Sequence, residues 1–373
     1  GRGVAEAGPW RIIGLMSGTS MDGVDAALIE TDGERVLSFG PALTLRYQPE
    51  QRAVLRAAIA AAMGEGAGST NEAIAAAEVL LTETHAAALA KAVDAAGLTA
   101  RDIHYAGFHG QTVLHRPAQK LTWQIGDGGK LAAASGIDVV FDFRTADVLA
   151  GGQGAPLVPL YHQALVAGLR TELPVAVLNI GGVANVTWVG PDGALLAFDT
   201  GPGNAALDDW ALQHTGKPID EDGALGASGR ADRAVLAAML DNPWFDAAPP
   251  KSLDRMDFSI APVRGLDAAT GAATLTRFTA ETVALAARHF PSPATRWLVC
   301  GGGRRNPTMM AALNDALGVP VEPVEAVGWR GDFLEAEAFA FLAARHLRGL
   351  PLSVPTTTGV PEPLTGGKLA RKP

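Results

Sequence analysis

The chain has one cysteine, Cys300, in 373 residues. That excludes an intramolecular disulfide and a cysteine-built metal cluster, and it makes a reducing, cytoplasmic compartment the expectation. Positive charge is also in short supply, with 30 Lys and Arg against 39 Asp and Glu and a formal net charge of −9. Nucleic acid and anionic membrane surfaces both require a basic face, so neither is an expected partner. No uninterrupted apolar run reaches the roughly 18 residues of a membrane-crossing helix. Residues 1–10 lack a basic start followed by an apolar stretch and do not read as a signal peptide. Missing too are the Lys-Ser/Thr that completes a Walker loop, a Gly-x-Ser-x-Gly elbow, and histidines spaced for metal ligation. What remains is 48% hydrophobic and 18% charged. This is a globular composition, in a chain long enough that two lobes are the default.

Short apolar runs at 12–16 and 26–29 flank a polar, Gly-containing turn, which predicts a hairpin. The Ala-rich stretch 51–96 predicts two helices broken over 64–69, with Thr70 and Asn71 capping the second. A strand over 103–108 runs into His109-Gly110-Gln111-Thr112. Between Lys120 and Gly154 strand-like runs end in Gly-rich turns, and the run 137–141 delivers Asp142-Phe143-Arg144. Residues 156–169 predict a helix. A strand over 175–180 then enters Gly181-Gly182 and returns over 185–189. Another strand ends at Phe198, ahead of a helix through Leu212; 220–257 is loop-rich. Helices over 274–289 and 333–347 bracket a strand at 297–300. Alternating strands and helices give an α/β class with mixed sheets. The expected lobes are 1–160 and 161–373, with the final helix crossing back to the first.

The most informative string is Gly18-Thr19-Ser20-Met21-Asp22-Gly23-Val24-Asp25. Consecutive small residues let backbone N–H groups converge as an anion nest. Thr19 and Ser20 add hydroxyls, and Asp22 can hold a hydrated divalent cation. Taken alone, such a turn is more often a plain hairpin turn. Gly181-Gly182, with Asn185 following, suits close backbone approach, and Gly301-Gly302-Gly303 leaves room for a flat base; either by itself reads as an ordinary turn. Asp199 at a strand's carboxyl end is placed as a general base or, equally, as a cap. Asp142 and Arg144 read either as a structural ion pair or as an arginine clamp beside a site. His109 reads as a partly buried structural imidazole, and the string 109–112 is assigned to substrate hydrogen bonding. Glu335 and Glu337 lie two apart at the start of the last helix, so one of them faces solvent.

These strings together resemble the anhydro-N-acetylmuramic acid kinase family. The resemblance rests on residues 14–25, His109-Gly110-Gln111-Thr112, Gln124-Ile125-Gly126-Asp127, Asp142-Phe143-Arg144 and Gly151 to Pro159. It continues through Asn179-Ile180-Gly181-Gly182, Phe198 to Asn204 and Val299-Cys300-Gly301-Gly302-Gly303. It implies a two-lobed actin-like, hexokinase-like ATPase fold with ATP in the cleft between the lobes. It also implies hydrolytic opening of a 1,6-anhydro sugar coupled to phosphorylation of its 6-oxygen, in peptidoglycan recycling. By the same resemblance, ATP and Mg²⁺ are the cofactors and the enzyme is a homodimer. Asp199 matches the general base; Gln111, Thr112, Arg144 and Glu335 match the sugar side; residues 301–303 match the adenosine loop. Two departures stand out. Gly128-Gly129 follow Gln-Ile-Gly-Asp where relatives commonly carry Pro, which implies a looser backbone. Ser252-Leu253-Asp254-Arg255-Met256 replaces Ser-Thr-Gly-Arg-Glu. The rival readings are a levoglucosan-type anhydrosugar kinase and a non-catalytic ATP-binding scaffold, the latter with no need of a base at Asp199.

Overall fold

A computed structural model describes residues 8–65, 71–253 and 257–373. The strands of the first half are β1 (Trp10–Met16), β2 (Gly23–Thr31), β3 (Val36–Arg46), β4 (Tyr105–Phe108), β5 (Gln111–Arg116), β6 (Leu121–Ile125) and β7 (Asp138–Phe141). β3 and β5 form where no strand is expected, the others at the expected apolar runs. The second half contributes β8 (Val175–Ile180), β9 (Val183–Val189), β10 (Leu195–Pro202), β11 (Arg296–Cys300) and β12 (Val321–Pro323). The chain divides into two compact units, one of Gly1–Gly168 with Phe333–Pro373 and one of Leu169–Asp332.

Among the described residues, the larger sheet of the first unit runs β7-β4-β1-β2-β3, with the strand Lys368–Ala370 added beside β7. β1, β2 and β3 pair antiparallel, and β4 and β7 extend the sheet in parallel. The sheet of the second unit runs β12-β11-β8-β9-β10 with the same senses of pairing. Each unit therefore starts from an antiparallel meander whose first strand accepts a parallel strand brought over by a helix, as parallel pairing demands.

The helix Glu72–Ala95 begins at its Asn71 cap and buries Ile74, Leu81 and Leu89 against the first sheet. By length and composition it is apolar enough to cross a membrane. Here it serves as a core helix, interrupted by Glu78, Glu83 and Lys91. On the other sheet face lies the helix Leu334–Leu347, packed against β1, β2 and β4. It comes close because Gly14 and Gly107, partners in the β1–β4 register, present no side chain. A Cβ on Gly14 would fall 1.7 Å from the Ala336 carbonyl oxygen.

Several elements differ from the sequence expectation. Residues 128–135 are a helix, Gly128–Ser135, with Asp127 accepting from the Lys130 N–H as its cap, so Gly128 and Gly129 form its first turn and not a loose segment. A second short helix, Thr145–Leu149, follows Arg144. The long helix starts earlier than expected, at Ala268, because Asp267 caps it, and it closes at Ala286. β10 continues past Phe198 through Asp199 to Pro202, so Asp199 sits within a strand and not at its end. Gly64 belongs to the helix Pro49–Glu65; residues 66–69 and Thr70 lie outside the described residues.

The tight Gly14 contact yields a stability test. Gly14→Ala forces the helix Leu334–Leu347 off the sheet, at about 2–3 kcal/mol by the usual cost of overpacking. Thermal unfolding of the variant is expected to fall by roughly 5–10 °C; an unchanged melting temperature contradicts the packing described.

Candidate active site

The β1–β2 turn is held from beneath by a buried chain of side chains. Ser17 Oγ donates to Gln111 Oε1 at 2.7 Å, and Gln111 Nε2 donates to the Gly18 carbonyl at 3.2 Å. Because the Ser17 proton is committed to Gln111, the 3.0 Å contact between Ser17 Oγ and Tyr47 Oη has the phenol as donor. Burial pushes the Tyr47 phenol up to about 12, against the Ser17 hydrogen bond, so it keeps that proton. Above this chain Met21 adopts a left-handed conformation, φ 54°, and its N–H closes the turn on Gly18 O at 3.1 Å. The Asp22 carbonyl accepts from Tyr47 N at 3.0 Å, and the Asp22 carboxylate is exposed. Of the eight residues singled out, Gly18, Thr19, Ser20, Met21 and Asp22 build the turn, while Gly23, Val24 and Asp25 are the first residues of β2. Val24 is buried in the core, and the Asp25 carboxylate accepts from Thr44 Oγ1.

A second cluster gathers at the carboxyl ends of β4 and β7. Arg144 Nε donates to His109 Nε2 at 2.9 Å, so that ring nitrogen carries no proton and Nδ1 donates to the Gly110 carbonyl at 2.8 Å. His109 is thus a neutral imidazole in one tautomer. Burial and the Arg144 charge hold its pKa well below the ordinary value. Arg144 Nη1 donates to the Gly154 carbonyl at 2.8 Å. Its Nη2 has no protein partner among the described residues. Glu335, in the first turn of its helix, is exposed at the surface, yet the protein packed around its carboxyl pushes its pKa up, opposed by the Arg144 charge. Glu337 is buried instead and accepts from Tyr161 Oη at 2.8 Å, so one of the two glutamates does face solvent. Thr112 Oγ1 accepts from Gln124 Nε2 at 3.1 Å. A recess of about 200 Å³ is walled by His109, Thr122, Trp123, Gln124, Asp142 and Thr145.

In the second unit, Asp199, Asn185 and Asn179 are register partners across β10, β9 and β8. Strand pairing puts directly opposed residues on one face, so the three polar side chains form a row. Burial pushes the Asp199 carboxyl up to about 6, opposed by the Leu253 N–H, which donates to Oδ2 at 2.7 Å. Immediately after Asp199 the β9–β10 register shifts, between Asp199 and Gly201. Gly181 and Gly182 form the β8–β9 turn, and their carbonyls accept from the N–H groups of Asn204, Gly203 and Ala205. Gly301 has φ 79°, and a Cβ there would fall 2.6 Å from the Ile180 carbonyl oxygen, so glycine is required. Gly302 and Gly303 open the short 3₁₀ turn Gly302–Arg305. Arg304 reaches back to Gly301 O at 2.9 Å and forward to Glu325 and Asp332, which fixes this turn.

The structure thus gathers Gly18–Asp22 with Gln111, Arg144 with Glu335, and Asp199 with Asn185. It gives Gln111 two partners within the protein, the Ser17 hydroxyl and the Gly18 carbonyl. Sequence reasoning missed Ser17, Tyr47, Asn179 and the Leu253 N–H. Ser17 and Asn179 stand in quoted strings, residues 14–25 and Asn-Ile-Gly-Gly, and strand pairing could have placed Asn179 beside Asn185; Tyr47 and the Leu253 N–H carry no local signal. Asp254, Arg255 and Met256 lie outside the described residues.

The sequence profile of the anhydro-N-acetylmuramic acid kinase family matches residues 10–371. A protein of that name from Rhizorhabdus wittichii is 58% identical over 359 residues, covering 95% of this chain and 97% of its own. Another from Paramagnetospirillum magneticum is also 58% identical, covering 95% and 98% respectively. Among solved structures, component A of the (R)-2-hydroxyglutaryl-CoA dehydratase of Acidaminococcus fermentans aligns with a TM-score of 0.46 and 14% identity, covering 91% of this chain and 99% of that one.

Gln111→Ala would strip partners from the Ser17 hydroxyl and the Gly18 carbonyl at once. Leaving buried groups unpaired costs about 1–3 kcal/mol each. The expected outcome is a lower melting temperature together with a raised KM for the nucleotide. A variant as stable as the parent would show that the turn does not depend on this amide.

Proposed function

The chain belongs to the anhydro-N-acetylmuramic acid kinase family, and from that membership we propose how its residues carry the reaction. It is an ATP-dependent kinase that opens the 1,6-anhydro ring of anhydro-N-acetylmuramic acid with water and phosphorylates the 6-oxygen. The products are N-acetylmuramic acid 6-phosphate and ADP.

Asp199 is the general base. Its carboxylate removes a proton from water as the water oxygen bonds to the anomeric carbon; the bond from that carbon to the 6-oxygen breaks, and the 6-oxygen takes the γ-phosphoryl group from ATP. No protein acid is needed at the leaving oxygen, because the phosphoryl group captures it. Attack by activated water on the face opposite the departing oxygen follows the logic of inverting glycoside hydrolysis. The observation that carries this assignment is the half-buried Asp199 carboxyl, raised to about 6 with Oδ2 held by Leu253. A base poised near the working pH combines the ionised form with useful proton affinity.

Gly18, Thr19, Ser20 and Met21 direct amides and hydroxyls at the phosphates, with Gly23, Val24 and Asp25 carrying the turn into the sheet. Gly181, Gly182 and Asn185 supply a second phosphate contact, and Gly301, Gly302 and Gly303 the adenosine contact. Phosphoryl transfer needs this positioning and charge stabilisation more than covalent help. Arg144, through Nη2, with Thr112 and Glu335, contacts the sugar; Gln111 acts by supporting the turn. A Mg²⁺ ion fits a single exposed carboxylate, since it keeps most of its waters and takes the rest of its ligands from phosphate; Asp22 would hold it through water. Bound there, the ion would neutralise developing charge on the phosphates. A cytoplasmic homodimer working in peptidoglycan recycling completes the proposal.

Asp199→Asn is expected to lower turnover by about 10²–10⁴-fold while nucleotide binding persists. Mass analysis of the wild-type product should find the sugar heavier by one phosphoryl group (HPO₃) and one water. With Asp199 ionised above about pH 6, the turnover rate should fall on its acid side near that pH and lose about tenfold per unit below it. Parental turnover in Asp199→Asn would refute the assignment.

A further inference from the structure

β10 is an edge strand of the second unit's sheet, and an edge strand leaves backbone groups in need of partners. At Asp199 they are met by residues 251–253, a segment without regular secondary structure. The Asp199 N–H donates to the Lys251 carbonyl at 3.0 Å, and the Leu253 N–H donates to Asp199 Oδ2 at 2.7 Å. One irregular segment therefore grips both the backbone and the carboxylate of the same residue.

The segment is itself anchored by the Lys251 side chain. Its Nζ donates to the carbonyls of Trp244 at 2.9 Å and Phe245 at 3.2 Å. The same ammonium lies 4.1 Å from the centre of the Trp244 ring, a close cation–π contact. Phe245 is buried, stacks on Phe258 and meets Phe278 of the helix Ala268–Ala286 edge-on. The path runs from that helix through Phe278, Phe245 and Lys251 to the Leu253 N–H.

We infer that Lys251 is a positioning residue for Asp199: its ammonium fixes the 251–253 segment so that the Leu253 N–H holds Oδ2 and leaves Oδ1 to face the water. This rests on Asp199 being the base. Lys251 does not act by its charge on the carboxylate, because the ammonium is turned onto the two carbonyls. β9 presents the neutral Asn185. Asp246 acts on Lys251. His289 packs edge-on to Phe198 and pairs with the Phe245 carbonyl at 2.8 Å. What shifts Asp199 is burial upward and the Leu253 N–H downward.

The test compares Lys251→Met, which keeps the apolar stem and loses the ammonium, with Trp244→Leu, which removes the ring and keeps the carbonyl. Turnover is measured against pH with ATP, Mg²⁺ and anhydro-N-acetylmuramic acid, alongside melting temperature and ADP affinity. When the Leu253 N–H loosens, Asp199 protonates more readily, so the acid limb of kcat moves to higher pH by roughly half a unit to one unit. kcat falls by about tenfold, a part of what a positioned base contributes, and the KM for ATP stays as in the parent. Lys251→Arg, which can reach the same carbonyls, restores most of both. A folded Lys251→Met with the parental acid limb and kcat overturns the inference; if that variant does not fold, an unshifted limb in Trp244→Leu does so. An inactive Asp199→Asn beside an unshifted Lys251→Met removes Lys251 alone, whereas an active Asp199→Asn removes the base assignment beneath it.

Discussion

The hydroxyl of Ser17 belongs to a residue 1% exposed, and a hydroxyl so far from water must find partners inside the protein. It finds Gln111 on one side and Tyr47 on the other, residues 94 and 30 positions away. Through Gln111 the same chain ends on the Gly18 carbonyl. A turn made of small residues has little apolar surface with which to hold itself, so its conformation is set by this buried polar chain. The left-handed Met21, costly for a side-chain-bearing residue, persists where the surroundings determine it.

The same demand for partners recurs elsewhere. Asp147, 3% exposed, accepts from the Gly154 N–H at 2.7 Å and from the hydroxyls of Ser353 at 2.5 Å and Thr358 at 2.6 Å. The loop it fixes offers the Gly154 carbonyl to Arg144. The guanidinium is then oriented from two sides, by that carbonyl and by a histidine kept neutral. A charged His109 could not accept from Arg144 at all, so the low pKa of the imidazole is a condition of the arginine's geometry. At Asp199 the balance is different: burial raises the carboxyl and the single Leu253 N–H offsets only part of that rise.

Much of this architecture was legible in the sequence where one local rule decides it. The apolar runs flanking Gly18 gave the hairpin, and Asn71 marked a helix start because its side chain accepts from the Ala73 N–H. The start of the helix Ala268–Ala286 was hidden because Ala, Thr and Gly residues carry no apolar stripe. Gly128 and Gly129 read as loose, yet the Asp127 cap and the burial of Leu131 outweigh glycine's modest helix penalty. The Thr200-Gly201-Pro202 string reads as a turn, but pairing with β9 carries β10 through it. Tyr47 and Lys251 were illegible for a plainer reason. Each acts on a residue far along the chain, and nothing in the types of their sequence neighbours announces the partner.

That distance has a consequence for assigning roles from motif strings. Gln111 stands in a string that resembles the family's sugar-side residues, yet its Oε1 accepts from Ser17 and one Nε2 hydrogen goes to the Gly18 carbonyl of the β1–β2 turn, which leaves the second Nε2 hydrogen. Arg144, by contrast, commits Nε and Nη1 to protein and keeps Nη2 without a protein partner among the described residues. A side chain can meet a ligand only with atoms it has not already committed, since exchanging a buried internal hydrogen bond for an external one gains little and leaves the abandoned partner unpaired. By that criterion the whole Nη2 group of Arg144 is open to a ligand, which is why it is proposed on the sugar side, whereas the buried Gln111 has a single hydrogen left and is proposed as a support of the turn. The strings mark which positions matter; the hydrogen bonds decide what each position does.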